Sequence, residues 1–339
     1  MQLECVSNLY GTTLNPHNTA FSSGGSSGGE AALLAMGGSS IGVGSDVGGS
    51  IRVPAAACGL FGFKPTAFRV PTTGWSSTPP GADGVVTVIG PMCRWLEGVE
   101  MFMRTVLGAE AWRVEPALVP LPWRGWEVPK GRRLKVGIAV DDGVVRPHPP
   151  VVRVLRELEE RLKEVEEVEV VQFGLYKHDE GWAIASSLYF TDGGEAERKA
   201  MEESGEPMCE LTRWMLEENA GVKKLSREEL EYWLEEREEY RLEYAKHWNE
   251  TGRWDEDLGK WVDTVDVVIC PVAPGAATRH GTAKYWPYSA IWNLVDYPAL
   301  AFPVSKCDKE RDVKEDRSKF MSGYDTMNWD MCEYTSYKV

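Results

Sequence analysis

Two stretches of this chain combine serine with clustered glycine. Ser26 and Ser27 lie in GGSSGG at residues 24–29, and Ser50 lies in GSDVGGSIR at residues 44–52. A serine hydroxyl can attack an acyl carbon when a neighbouring group takes its proton. Glycine beside it lets backbone amides approach a developing oxyanion closely. Three other readings of these stretches compete with that one. A flexible Gly/Ser linker would not place Glu30, Asp46 and Arg52 among well-formed apolar segments, nor run straight into IRVPAAACGLFGFKP. A phosphate-binding loop needs G-x-x-x-x-G-K-[ST] or G-x-G-x-x-G; the first is absent, and the second fails at Val47. Residues 25–29 do satisfy G-x-S-x-G, with Ser27 as nucleophile, but that motif needs a late histidine. Of His17, His148, His178, His247 and His280 only His280 is well placed, and it reads more simply as a loop residue.

These serines need a rigid frame, and the surrounding pattern supplies one. Residues 1–110 are rich in glycine and small apolar residues, with short apolar runs at 39–43, 60–63 and 85–89 that predict buried strands or tight turns. Helices are predicted at 30–36 and 92–107. Residues 110–133, rich in Pro, Trp and Arg, read as a connection. A strand at 134–139, an amphipathic helix at 150–165 and a strand at 169–173 alternate as an α/β sheet requires. The strongest helix is 226–249: Ser226 and Glu229 make a capping box, and Leu230, Trp233, Leu234, Tyr240, Tyr244 and Trp248 make its apolar stripe. A further strand is predicted at 265–270, stopped by Pro271. Residues 305–339 lose periodicity and are expected to form a poorly ordered tail.

Composition narrows the function classes. The 339 residues are 43% hydrophobic and 26% charged, a globular balance. A net charge of −15, concentrated between residues 157 and 250, argues against nucleic acid or an anionic membrane surface as partner. Seven cysteines with no C-x-x-C pair argue against a disulfide framework or a zinc site and fit a reducing, cytoplasmic setting. No apolar run reaches the ~18 residues of a membrane span, and no secretory leader is visible after Met1.

The run GGSSGGEAAL, followed by GVGSDVGGSIRVPAAACGLFGFKPT, resembles the amidase signature family, in its fungal acetamidase-like branch. The likeness extends to ECVSNLYGTTLNPHN before the block, GPMCR at 90–94 and VDVVICPVAPGAATRHGTAKYWPYSAIWNLVDYPALAFPV at 265–304. It covers most of residues 1–110 and 262–304, and the middle less clearly. The resemblance implies an α/β/α fold with a central mixed β-sheet flanked by helices, in a single domain over 1–304. Within it lie a core loop block at 22–66, an acidic helical region at about 150–250 and a returning strand region at 262–304. It implies amide hydrolysis of a small-molecule substrate without metal or cofactor. Ser50 would be the nucleophile and Ser26 the bridging serine, preceded by a cis peptide from Gly25. The amides of Val47, Gly48, Gly49 and Ser50 would form the oxyanion hole. Asp46 and Arg52 would hold that loop from behind or form an ordinary buried ion pair; Ser27 would be structural or a helix N-cap. Hydroxyls of Ser26 and Ser50 are expected within hydrogen-bond reach.

The pattern departs from the family in one respect. Its catalytic lysine lies well upstream of the GGSSGG block, yet no lysine precedes Gly24 here, and Lys64 belongs to a different part of the family pattern. The sequence is therefore expected to lack segments at both ends of the family fold. Two alternatives stand beside amide hydrolysis: a catalytically dead remnant or interaction protein on this scaffold, and transamidation with an ammonia-accepting partner. Trp286, Tyr288 and Trp292 are expected either in a substrate pocket or in the core.

Overall fold

A computed structural model describes residues 2–75, 83–125, 131–314 and 316–332. Beside two short two-stranded pairs, Val6–Ser7 with Gly11–Thr12 and Arg253–Asp255 with Lys260–Val262, the described strands form two larger ladders. The first is antiparallel and four-stranded, in the order Ala299–Ala301, Phe61–Lys64, Val88–Cys93, Ile41–Asp46. Register is set by the long pairing of Ile41–Asp46 with Val88–Cys93, which places Asp46 opposite Val88 at the end where the chain turns toward Ser50. The second ladder is parallel and three-stranded, Val267–Ile269, Leu134–Ile138, Val168–Gln172. The Pro149–Lys163 helix makes the crossover between its two consecutive strands, starting at prolines that tolerate the first helical turn. The expected α/β architecture, with mixed strand directions and flanking helices, is present.

Helices cover the strands and build the main core. His178–Tyr189, Arg227–Asn249 and Pro287–Leu294 bring together Ile184, Leu188, Tyr240, Tyr244, Ile291 and Leu294, all buried. The capping box at the start of Arg227–Asn249 forms as expected: Ser226 Oγ accepts from the Glu229 amide at 3.1 Å, and Glu229 accepts from the Ser226 amide at 2.8 Å. Trp286, Tyr288 and Trp292 are buried in this region, which resolves their two readings in favour of the core.

Two expectations need correction. The helix expected at 92–107 starts later, at Leu96–Gly108. Met92 and Cys93 instead belong to the strand, because Gly42 and Ile41 pair with them across the ladder. The tail expected to be poorly ordered from residue 305 is anchored in part, with Asp312 buried against Arg153. Its Gly323–Asp330 helix is capped by Ser322, buries Asp325 and Trp329, and accepts His148 Nε2 at the Asn328 carbonyl at 2.9 Å. The Arg317 guanidinium lies 3.7 Å from the Trp329 ring centroid. Polar and cation–π contacts of this kind leave no apolar periodicity to read. Residues 333–339 lie outside the described residues.

Candidate active site

Residues 21–28 and 45–52 come together as two adjoining loops. Gly25 leaves no room for a side chain, since a Cβ there would lie 2.3 Å from the Glu4 amide nitrogen. The Gly25–Ser26 peptide is cis, as expected. The Ser27 amide then donates to the Ser50 carbonyl at 3.2 Å, joining the Ser26 segment to the Ser50 turn. Ser26 is exposed and Ser50 is buried. No hydrogen bond between their hydroxyls occurs among the described residues, so the contact expected there is not formed. Catalytic hydrogen bonds of this type commonly tighten only around bound substrate. Ser27 stands at the N-cap position of the Gly28–Ala35 helix, yet its hydroxyl caps nothing. Ser27 Oγ instead accepts the Ser45 amide at 3.3 Å, which is the structural role of its two expected ones.

Asp46 ends its strand and organises the turn that follows. Its Oδ1 accepts from the Gly49 amide at 2.8 Å, and its Oδ2 from the Ile51 amide at 3.1 Å. Arg52 grips both oxygens, through Nη2 at 2.8 Å and Nε at 3.0 Å. The pair is fully buried. Burial alone would raise the Asp46 carboxyl, but the charge and hydrogen bonds of Arg52 outweigh it and bring the value down to about 2. Arg52 is held in turn by the Ser289 carbonyl at 2.8 Å and Asn293 Oδ1 at 2.7 Å. The ion pair is thus both things the sequence allowed: buried, and the brace of the loop.

One part of the expected oxyanion hole is spoken for. The Gly49 amide points at Asp46, whereas the amides of Val47, Gly48 and Ser50 donate to nothing among the described residues. Gly49 has φ +124°, and a Cβ on it would lie 2.3 Å from Ser289 Oγ, so only glycine fits. Amides left without a partner beside a buried serine are available to stabilise a tetrahedral oxyanion.

Lys64 and His280 are bonded to other groups. Lys64 is fully buried; its ammonium donates to the Pro65 carbonyl at 3.0 Å and lies 3.7 Å from Asp296 Oδ1, while burial brings it down to about 8. His280 bonds to Glu4 Oε1 at 2.8 Å and to the Thr19 carbonyl at 3.1 Å, with no bond to Ser27 among the described residues. Sequence reading missed Tyr189, Ser289 and Asn293, which contact the loop across 142, 241 and 247 residues. No local motif marks such partners.

Comparison with known proteins places this geometry. Residues 1–318 match the Amidase family model. An acetamidase of Emericella nidulans is 35% identical over 333 residues, covering 96% of this chain and 59% of that protein. An acetamidase of Aspergillus oryzae is 36% identical over 321 residues, covering 92% of this chain and 57% of that one. A solved fatty acid amide hydrolase superposes with a TM-score of 0.90 at 30% identity, over 99% of this chain and 58% of its own. The chain therefore spans under three fifths of the length of these proteins. With the signature loops, the α/β frame and a family match over nearly its whole length, this chain belongs to the Amidase family.

Proposed function

We propose that this protein hydrolyses carboxamides through Ser50. The carrying observation is the hydrogen bond from the Ser27 amide to the Ser50 carbonyl, which seats the Ser26 segment against a buried serine flanked by three unengaged amides. Ser50 Oγ attacks the amide carbon, and its proton passes through the Ser26 hydroxyl to the departing nitrogen. The amides of Val47, Gly48 and Ser50 receive the negative oxygen. Protonation of the departing nitrogen releases ammonia or an amine, and water then frees the carboxylate from the acylated serine. Lys64 does not supply the general base, because its ammonium is already committed to Pro65 and Asp296. The acetamidase names of the relatives above support a small carboxamide as substrate. The acidic charge supports a partner set without nucleic acid, and the cysteine pattern supports a cytoplasmic setting. No helix among the described residues is long and apolar enough to cross a membrane.

The inert-scaffold reading draws on two observations, the missing hydroxyl–hydroxyl bond between Ser26 and Ser50 and the engagement of Lys64 by Pro65 and Asp296. A single experiment separates the two readings. Ammonia release from acetamide and longer carboxamides is measured for the purified protein and for Ser50→Ala. Turnover that falls by about a thousandfold or more in the variant supports the proposal. Turnover untouched by the substitution, or none in the unaltered protein, overturns it.

A further inference from the structure

Three successive carbonyls of the loop are gripped from outside it. The Asp46 carbonyl accepts from Asn293 Nδ2 at 3.1 Å, the Val47 carbonyl from the Tyr189 hydroxyl at 2.8 Å, and the Gly48 carbonyl from Ser289 Oγ at 2.7 Å. All three donors are buried. Tyr189 ends the His178–Tyr189 helix, while Ser289 and Asn293 stand four residues apart on one face of Pro287–Leu294. In a trans peptide unit the C=O and the following N–H point in opposite directions. Holding the carbonyls of 46, 47 and 48 therefore sets the directions of the amides of Val47, Gly48 and Gly49. The first two donate to nothing among the described residues, and the third is directed to the Asp46 carboxylate.

We propose that Tyr189 and Ser289, with Asn293 beside them, are positioning residues that aim the oxyanion-binding amides while touching neither substrate nor nucleophile. This rests on the Ser50 reading above. Without the side-chain donors the Val47 and Gly48 peptide planes can rotate, because Gly48 and Gly49 offer little resistance. Amides that rotate stabilise the tetrahedral oxyanion less while leaving ground-state binding alone.

The test uses the whole protein with Tyr189→Phe, Ser289→Ala and their combination. Tyr240→Phe is the control, since that buried hydroxyl sits on a different helix and donates to the Tyr176 carbonyl, outside the loop. Steady-state ammonia release from a carboxamide is measured together with inhibition by phenylboronic acid, whose tetrahedral adduct places an oxygen where the oxyanion forms. Each single variant is expected to lower kcat about tenfold, to leave KM within about twofold, and to weaken phenylboronic acid by a factor like that in kcat. The control is expected to lose stability while keeping kcat. Values of kcat within about twofold of the unaltered protein in both single variants, with turnover still dependent on Ser50, overturn this inference and leave the parent reading standing. Turnover that survives Ser50→Ala, or an unaltered protein that releases no ammonia, overturns both. If Tyr189→Phe does not fold, Ser289→Ala decides alone.

Discussion

Replacing Asp46 by asparagine preserves its shape and removes its charge, and the structure sets the size of the effect. Six donors face the carboxylate. Oδ1 receives Gly49 N, Arg52 Nη2 and Asn293 Nδ2; Oδ2 receives Ile51 N, Arg52 N and Arg52 Nε. An amide group presents one acceptor oxygen and turns its NH₂ toward the other three. The Arg52 guanidinium also stays buried without its anion. Breaking a buried pair in this way costs about 3–5 kcal/mol. At an unfolding entropy of roughly 2.1 cal/mol/K per residue, the melting temperature falls by about 4–7 °C. Acid behaviour supplies a second signature. The folded carboxyl titrates near 2, against an ordinary value of 3.8. As pH falls below about 4 the unfolded chain takes up this proton first, so the fold loses stability until the folded group also protonates near pH 2. At about 1.4 kcal/mol per pH unit the loss approaches roughly 2 kcal/mol, and Asp46→Asn does not show it. Circular-dichroism melts at neutral pH, with urea unfolding from pH 6 to 2.5, measure both effects. A variant that melts within about 1 °C of the parent and keeps its acid slope would refute the bracing role.

Two further outcomes follow from single positions. Gly49→Ala forces a side chain into a left-handed backbone and against Ser289, so we expect a loss of about 2–3 kcal/mol in a thermal melt and collapse of ammonia release. His178 is buried with neither ring nitrogen hydrogen-bonded, and burial brings it down to about 3. Below about pH 6.5 the unfolded chain binds that proton and the fold does not, so stability declines with acid by roughly 2 kcal/mol at pH 5. His178→Leu should flatten that decline in urea titrations at pH 7 and 5; an unchanged slope would assign the acid sensitivity elsewhere, His148 first.

Local information was legible where the chain's own neighbours decide the outcome. The Ser226–Glu229 cap closes within one turn, and the glycines at 48 and 49 announce a backbone that something must approach. Boundaries set by a distant strand were not legible. Met92 and Cys93 satisfy a helical period as well as an extended one, and their pairing with Gly42 and Ile41 decides. The anchoring of the tail escaped for a related reason, because Arg153 with Asp312 and Arg317 over Trp329 hold it without an apolar stripe.

The candidate site divides along the same line. The residue types suited to the chemistry, Ser26, Ser50 and the small residues around them, lie within 25 positions and can be read together. The contacts that hold the carbonyls of Asp46, Val47 and Gly48 come from 142 to 247 residues away, on two helices whose sequences look like ordinary core. Ser289 serves both jobs at once: its carbonyl receives Arg52 and its hydroxyl holds Gly48. A substitution that shifts the Pro287–Leu294 helix should therefore act on the rate of the chemical step before it acts on substrate binding. The backbone that would face the transition state is the part of the loop this helix grips.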